Sequence, residues 1–345
     1  MSAGPAQDVD ATALGDWLRA NVAPFSGAVT LRRFEGGQSN PTYRVTAGGR
    51  DYVLRRKPPG KLLASAHAVD REFRVMTALA GTDVPVAPVR ALCMDEGVIG
   101  TAFYVMDFVP GRVLWDPALP GMTAAERAAH YDEMGRVIAA LHRIDPAAVA
   151  LEDFGRPGNY MARQIARWTK QYRASETEPI PAMDRLIAWL PEHVPPADET
   201  SIVHGDFRLD NLIFHPTEPR VLAVLDWELS TLGHPLADFA YHAMAWRLTP
   251  GEFRGLAGTD LGALGIPTEA AYVAAYCRRT GRDGIAHWDT YLAYNMFRLA
   301  AILQGIMGRV LEGTAASASA AETGARARAI AEAGWRQVER LEAGG

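Results

Sequence analysis

Residues 202–214 read Ile-Val-His-Gly-Asp-Phe-Arg-Leu-Asp-Asn-Leu-Ile-Phe, and this stretch constrains the chain more than any other. Two apolar runs flank a polar loop in which Asp206 stands two residues after His204 and Asn211 five residues after Asp206. Fifteen residues beyond Asn211, a further apolar run closes at Asp226 in Val-Leu-Asp-Trp-Glu. Apolar runs joined by short polar loops predict a hairpin, and a hairpin brings Asp206, Asn211 and Asp226 together. One carboxylate then orients an attacking hydroxyl, while an amide and a second carboxylate offer hard oxygen ligands to Mg²⁺. That is the set that phosphoryl transfer from ATP requires.

The rest of the composition sets few further limits. A chain of 345 residues with 48% hydrophobic and 22% charged residues can bury a large core in one large or two modest domains. A net charge of −5 supplies no global field for nucleic acid. Cys93 and Cys277 lie far apart in apolar contexts without metal-type spacing, so the expectation is buried thiols in a reducing cytoplasm. The first residues are small, polar and acidic, unlike a signal peptide. No apolar run reaches the ~18 residues of a membrane span; residues 291–311 are interrupted by Asn295, Arg298, Gln304 and Arg309. The expectation is a soluble protein with no membrane partner.

Along the chain, residues 11–22 read as an amphipathic helix. Strands follow at 29–34, 42–46 and 52–55, with a hairpin turn at 47–50. Val69, Phe73, Met76 and Ala80 recur at helical spacing, and strands return at 89–94 and 103–108. Pro110-Gly111 ends this block. The remainder reads as helical: 123–144, with Thr123 and Glu126 as a capping box, then 160–174, 181–190, and from about 235 onward. The tail from 315 to 342, rich in Ala, Glu and Arg, reads as a terminal surface helix. The expected fold is α+β and two-lobed. A small β-rich N-terminal nucleotide-binding lobe spans residues 1–109, and a larger helical lobe spans 110–345 with the catalytic loop and acceptor site. The cleft between lobes is the expected ligand site.

Within that plan Asp206 is the candidate catalytic base, and Asn211 and Asp226 are the candidate metal ligands. Gly36, Gly37, Gln38, Ser39 and Asn40 form a turn whose backbone N–H groups suit triphosphate oxygens, or serve only as a turn. A cation on the third strand, paired with a Glu on the next helix, is needed to clamp phosphates. Arg55 and Glu72 fill these places, with Arg56 and Lys57 as substitutes for the cation. Asp107 and Val109 sit where a hinge meets an adenine edge. Glu228 supports the metal site or caps the strand, His204 buttresses the loop, and Asp238 caps a helix or holds the catalytic loop. For the acceptor, Arg208, Tyr160, Arg163, Arg167 and Arg298 are candidates. Arg163, Arg167 and Lys170 share a helical face that binds an anion or is merely solvated.

These segments resemble the aminoglycoside phosphotransferase/choline kinase-like family, which has the protein-kinase-like fold. His204-Gly-Asp206 to Asn211, Leu225-Asp226-Trp-Glu228 and Gly233-His-Pro-Leu-Ala-Asp238 carry the resemblance. It is strongest toward the branch related to the kinase-like domain fused to some acyl-CoA dehydrogenases. Gly37-Gln-Ser-Asn-Pro-Thr42, Tyr52-Val-Leu-Arg-Arg-Lys-Pro-Pro-Gly60 and Phe297-Arg-Leu-Ala-Ala-Ile302 carry that narrower match. The resemblance covers residues from about 30 to 312. It implies an ATP- and Mg²⁺-dependent kinase acting on a hydroxyl of a small molecule, a hydroxy acid or its CoA thioester, with a functional link to an acyl-CoA dehydrogenase. Arg55 departs from the usual Lys, and a basic acceptor pocket would suit an anionic substrate. An aminoglycoside or macrolide antibiotic phosphotransferase and a nucleotide-binding pseudokinase regulating a partner are the alternative readings.

Overall fold

The computed structural model describes residues 9–34, 40–58, 68–314 and 319–344. Its N-terminal part is a five-stranded antiparallel sheet in the order β1-β2-β3-β5-β4. The strands are β1 (Thr30–Arg33), β2 (Thr42–Ala47), β3 (Arg50–Arg56), β4 (Val89–Cys93) and β5 (Phe103–Asp107). Helix α1 (Ala11–Asn21) covers one face and α2 (Val69–Leu79) the other. The alternation of side chains along a strand decides which residue meets which helix. Tyr52 and Leu54 join the α1 side, with Leu14 and Leu18, while Val53 joins the α2 side, with Val75 and Met76. Arg55 follows Val53 onto the α2 side and faces Glu72. Arg56 turns to the opposite face, where its Nε donates to Thr101 Oγ1 at 2.9 Å.

The C-terminal part begins at β6 (Arg112–Val113), followed by α3 (Ala124–Arg143), α4 (Tyr160–Ala174) and α5 (Pro181–Trp189). The expected capping box holds: Thr123 Oγ1 accepts from the Glu126 amide, and Glu126 accepts from the Thr123 amide. Strands β7 (Ser201–Val203), β8 (Leu212–Phe214), β9 (Val221–Val224) and β10 (Thr231–Gly233) form two small sheets, β10-β7 and β6-β8-β9. Helices α6 (Pro235–Ala243), α7 (Pro250–Phe253), α8 (Leu261–Leu264), α9 (Glu269–Thr280), α10 (Trp288–Leu311), α11 (Ala320–Gly324) and α12 (Ala327–Gly344) complete the chain.

Helix α10 is the axis of this part, packed by α4, α5, α6, α11 and α12. Each of three polar residues on it is bonded to a neighbour. Asn295 donates to the Ala237 carbonyl at 2.8 Å, Arg298 to the Gly205 carbonyl, and Gln304 to the Ser175 carbonyl at 2.8 Å. Among the described residues no helix is long and apolar enough to cross a membrane. The tail departs from the sequence expectation. Ile330, Ala331, Ala333 and Val338 are buried, so α12 is an integral packing element with one apolar face, not a surface appendage. Local composition hid this, because Ala supplies a buried face without a strong hydrophobic signal.

Helix α6 carries Asp238, and its Phe239 ring stacks on Tyr276 of α9 with centroids 3.8 Å apart. Phe239 is fully buried. Phe239→Ala removes this stack and leaves a cavity, so it should cost about 3–5 kcal/mol. The expected result is a clearly lowered urea midpoint for the helical part; an unchanged midpoint would show that α6 is held elsewhere.

Candidate active site

The loop between β7 and β8 is held from below. The Asp238 carboxylate accepts the His204 amide at 2.8 Å, the Gly205 amide at 2.8 Å and His142 Nε2 at 3.1 Å. Burial pushes this carboxyl up, but the His142 hydrogen bond and charge, together with His204, outweigh it and hold the carboxyl below the usual range. Gly205 has φ +83°, and a Cβ there would lie 2.8 Å from the Leu229 carbonyl oxygen, so only glycine lets the loop pass. His204 accepts the Asp206 amide on Nδ1 at 3.1 Å and pairs through Nε2 with the Leu225 carbonyl at 2.8 Å. It therefore braces the loop against the segment that ends in Asp226.

Three candidates converge on this frame. The Asn211 amide nitrogen donates to the Asp206 carbonyl at 2.8 Å and to its Oδ2 at 3.0 Å. The Leu225 amide donates to the Asn211 carbonyl at 2.8 Å, which sets Asp226 beside Asn211. Asp226 itself has φ +64°, a left-handed conformation that Asp tolerates better than most residues and that recurs at functional sites.

Across the cleft, Arg55 ties the two parts of the molecule together. Its Nε lies 2.8 Å from Glu72 Oε2, and its Nη2 lies 2.5 Å from Asp226 Oδ1 and 3.6 Å from Glu228 Oε2. Burial alone would lower the Arg55 pKa; Glu72 and Asp226 raise it well above its ordinary value. Glu72 is buried too, and burial pushes its carboxyl up against the pull of Arg55. Asn40 Nδ2 donates to Glu72 Oε1 at 2.7 Å and the Tyr104 hydroxyl to Oε2 at 3.1 Å. Asn40 thus fixes the Arg55 partner. Gly36, Gly37, Gln38 and Ser39 lie outside the described residues.

The remaining candidates divide. The Asp107 amide donates to the Pro88 carbonyl at 2.8 Å, and Arg90 Nε bonds its carboxylate at 2.7 Å. Val109 packs half-buried against the main core. Arg208 Nε lies 3.1 Å from Asp206 Oδ1. Arg298 is buried between the rings of Trp168 and Tyr241, 5.6 and 4.8 Å from their centroids, with its guanidinium on the Gly205 carbonyl. Tyr160 is buried in the same neighbourhood. Arg163 turns away to the Arg156 carbonyl at 2.6 Å, and Arg167 and Lys170 are exposed. Arg167 lies over the Trp168 ring, 5.3 Å from its centroid, and the charges of Arg298, Arg167 and Arg163 all act on the Tyr160 hydroxyl. Sequence reading missed Tyr241, Trp115 and the Arg254–Asp210 ion pair at 2.7 Å, which surround the far side of the loop. No local pattern announces them.

The donor set suits Mg²⁺. The Asn211 amide nitrogen is engaged by Asp206, which leaves its oxygen as the free end, and Asp226 adds a carboxylate nearby. Among the described residues no three His, Cys, Asp or Glu side chains form a metal cage. Mg²⁺ bound through one or two side chains and substrate phosphates does not need one.

A β-sheet lobe over a helical lobe, with a hairpin of Asp, Asn and Asp at their junction, defines a kinase-like phosphotransferase fold. Residues 30–294 match the family described as "Phosphotransferase enzyme family", and the chain belongs to it. Among its relatives, mouse acyl-CoA dehydrogenase family member 10 is 50% identical over 327 residues, covering 94% of this chain and 30% of the relative. The Arabidopsis thaliana protein named probable acyl-CoA dehydrogenase IBR3 is 42% identical, covering 96% and 43%. The chain thus spans less than half the length of these relatives. A crystal structure from Ralstonia eutropha JMP134, provisionally assigned as an aminoglycoside phosphotransferase, is 60% identical with a TM-score of 0.88, covering 96% of this chain and 99% of that one. A thermostable mutant of aminoglycoside phosphotransferase APH(4)-Ia, bound to AMP-PNP and hygromycin B, shares the fold at 18% identity and a TM-score of 0.58, covering 94% and 99%.

His242 lies one turn beyond Asp238 and pairs through Nε2 with the Tyr272 hydroxyl at 2.7 Å. Burial pushes its pKa down to about 4, against about 6.5 for a free histidine. Between these values the unfolded chain binds a proton that the folded chain does not, so stability falls as pH drops through the window. The loss reaches about 3 kcal/mol at the acid end. His242→Gln keeps a hydrogen-bonding side chain without titrating. Its melting temperature should change less between pH 6.5 and 4 than that of the parent chain; equal slopes would place the acid sensitivity elsewhere.

Proposed function

We propose that this chain is an ATP- and Mg²⁺-dependent phosphotransferase that acts on a hydroxyl of a hydroxy acid or its CoA thioester. The observation that carries the reading is the convergence of Asp206, Asn211 and Asp226 opposite the Arg55–Glu72 pair. The acceptor class draws on the relatives, which are named as acyl-CoA dehydrogenases and are longer than this chain. A functional link to acyl-CoA dehydrogenase chemistry is part of the proposal. So is a cytoplasmic setting, consistent with the buried free thiols of Cys93 and Cys277.

In this reading the nucleotide lies between the 1–109 and 110–345 lobes. Asp107 and Val109 are assigned to the adenine edge, and the Gly-Gly-Gln-Ser-Asn segment at 36–40 to the phosphates, as its sequence suggests. Arg55, kept in place by Glu72, holds phosphate oxygens with a forked guanidinium where a lysine would offer a point charge. Asn211 and Asp226 would hold the metal, which would supply positive charge against the transferring group. Asp206 orients the acceptor hydroxyl toward the γ-phosphorus. A new O–P bond forms, the bond to the β-phosphate oxygen breaks, ADP leaves, and the hydroxyl proton passes to Asp206 and then to solvent. Through a loose transition state the main work of Asp206 is orientation. The fixed hydrogen bond from Asn211 supplies it.

Asp206→Ala should reduce acceptor-dependent ADP release by about 10²–10⁴-fold while nucleotide affinity stays within about threefold. Asp226→Ala should instead lose the Mg²⁺-dependent part of nucleotide binding. The assay pairs Mg²⁺-ATP with hydroxy acids, CoA thioesters, aminoglycosides, macrolides and choline-like alcohols. Full turnover by Asp206→Ala with a genuine acceptor would overturn the mechanism. Turnover confined to the antibiotics would replace the acceptor class.

A further inference from the structure

A cavity of about 60 Å³ lies against the catalytic loop, on the side of Arg208, Leu209 and Asp210. Its far wall is the segment that follows α6. Two features connect it to the chemistry. Arg208, which lines it, has its Nε 3.1 Å from Asp206. Tyr241, which also lines it, has its hydroxyl pushed up by burial and then by the adjacent Asp206. The cavity therefore borders the carboxylate that orients the acceptor.

Its walls are largely apolar. Tyr131, Leu209, Trp246, Leu248 and Phe253 line it, with Arg208, Asp210 and Arg254 as its charged residues. At its back His242 is neutral at physiological pH, with its Nε2 already engaged by Tyr272. Arg208 and Arg254 are already ion-paired with Asp206 and Asp210, so a sugar or polyamine packed against the apolar stretch would leave its polar groups there without partners, a loss of about 1–3 kcal/mol for each. A hydrocarbon segment meets no such penalty.

The mouth is built rather than incidental. Arg254 adopts φ +42°, a left-handed conformation that costs a non-glycine residue about 1–3 kcal/mol. In that conformation it pairs with Asp210 and lies over the Trp115 ring, 5.1 Å from the centroid. Trp115 is 58% exposed, which is unusual for so large an apolar side chain. At Gly255 a Cβ would stand 1.7 Å from the Leu248 carbonyl oxygen, so the return of this loop requires glycine. A strained arginine stacked on an exposed tryptophan, at the rim of an apolar cavity beside a catalytic carboxylate, marks a ligand entrance.

We infer that this cavity receives the hydrocarbon arm of the acceptor, so that the chain selects a hydroxyl carried on a short aliphatic segment. The inference rests on the phosphotransferase reading, and it adds that chain length is sensed by the segment between Met244 and Arg254.

The test uses hydroxy acids and their CoA thioesters of increasing chain length, with ADP release as the readout. Specificity, kcat/KM, should rise about fourfold for each methylene that enters the cavity, equivalent to about 0.8 kcal/mol, and then stop when the cavity is full. Ala245→Leu, on the cavity wall, should move the optimum to shorter chains. Phe253→Ala should move it to longer ones, and both variants should bind Mg²⁺-ATP like the parent. Calorimetric titration with straight-chain alcohols supplies a readout that needs no turnover: binding should be present in the parent and about tenfold weaker in Ala245→Leu. Turnover without any dependence on chain length, or Ala245→Leu lowering every acceptor equally, overturns the inference and leaves the phosphotransferase reading intact. Alcohol binding lost in Ala245→Leu without turnover of any acceptor supports the cavity as an aliphatic site and overturns the phosphotransferase reading. Absence of alcohol binding to the parent overturns the inference directly.

Discussion

The buried carboxylate of Asp238 is the constraint on which the active-site geometry depends. Placing an anion in a protein interior costs several kcal/mol unless its lone pairs are satisfied. Here the His204 and Gly205 amides and His142 satisfy them. Those contacts fix the backbone of the loop before any side chain of the reaction is considered. His204, so held, braces the Leu225 carbonyl, and Asn211 binds the same segment through its own carbonyl. The positions of Asp206, Asn211 and Asp226 therefore follow from one buried anion on α6. Phosphoryl transfer gains most from positioning and charge placement, so an anchor inside the rigid helical core is the right place for the frame to begin.

Arg55 plays the complementary role across the cleft. Its guanidinium faces Glu72, Asp226 and Glu228, and one cation among three carboxylates leaves the site short of positive charge. That deficit would suit a divalent cation beside Asp226. A lysine would reach one carboxylate at a time. The planar fork of arginine spans two, so the departure from lysine strengthens the link between the lobes.

Much of this was legible in the sequence because the decisive residues are local. His204, Asp206 and Asn211 lie within one loop, and their spacing is enough to require the loop. The alternation in β3 put Val53 and Arg55 on one face, which is where the ion pair with Glu72 forms. Helix boundaries at Thr123 were readable because a capping box is a local hydrogen-bond pattern. What escaped reading depends on distant segments. Arg163 and Arg167 lie on α4 as expected, but helical spacing did not show that Arg163 bonds the Arg156 carbonyl or that Arg167 lies over the Trp168 ring. Trp115, Asp210, Tyr241 and Arg254 come from four separate stretches, and only the packing of α6 and the loop after it assembles them.

The catalytic loop presents two chemically different sides. Asp206 and Asn211 bond to each other, while Arg208, Leu209 and Asp210 of the same loop line the cavity. A long arginine stem covers apolar surface while its charged end reaches a carboxylate, so Arg208 belongs to both sides at once. The loop itself is fixed by Asp238 and leaves little room for variation. The wall opposite, from Met244 to Arg254, hangs from the end of α6 and carries no part of that anchor. The frame and the wall are therefore separate parts of the molecule, and the fold of the frame does not by itself dictate the acceptor. In this chain the wall is built from tryptophan, leucine and phenylalanine, the apolar surface on which the proposed selection of a hydrocarbon arm rests.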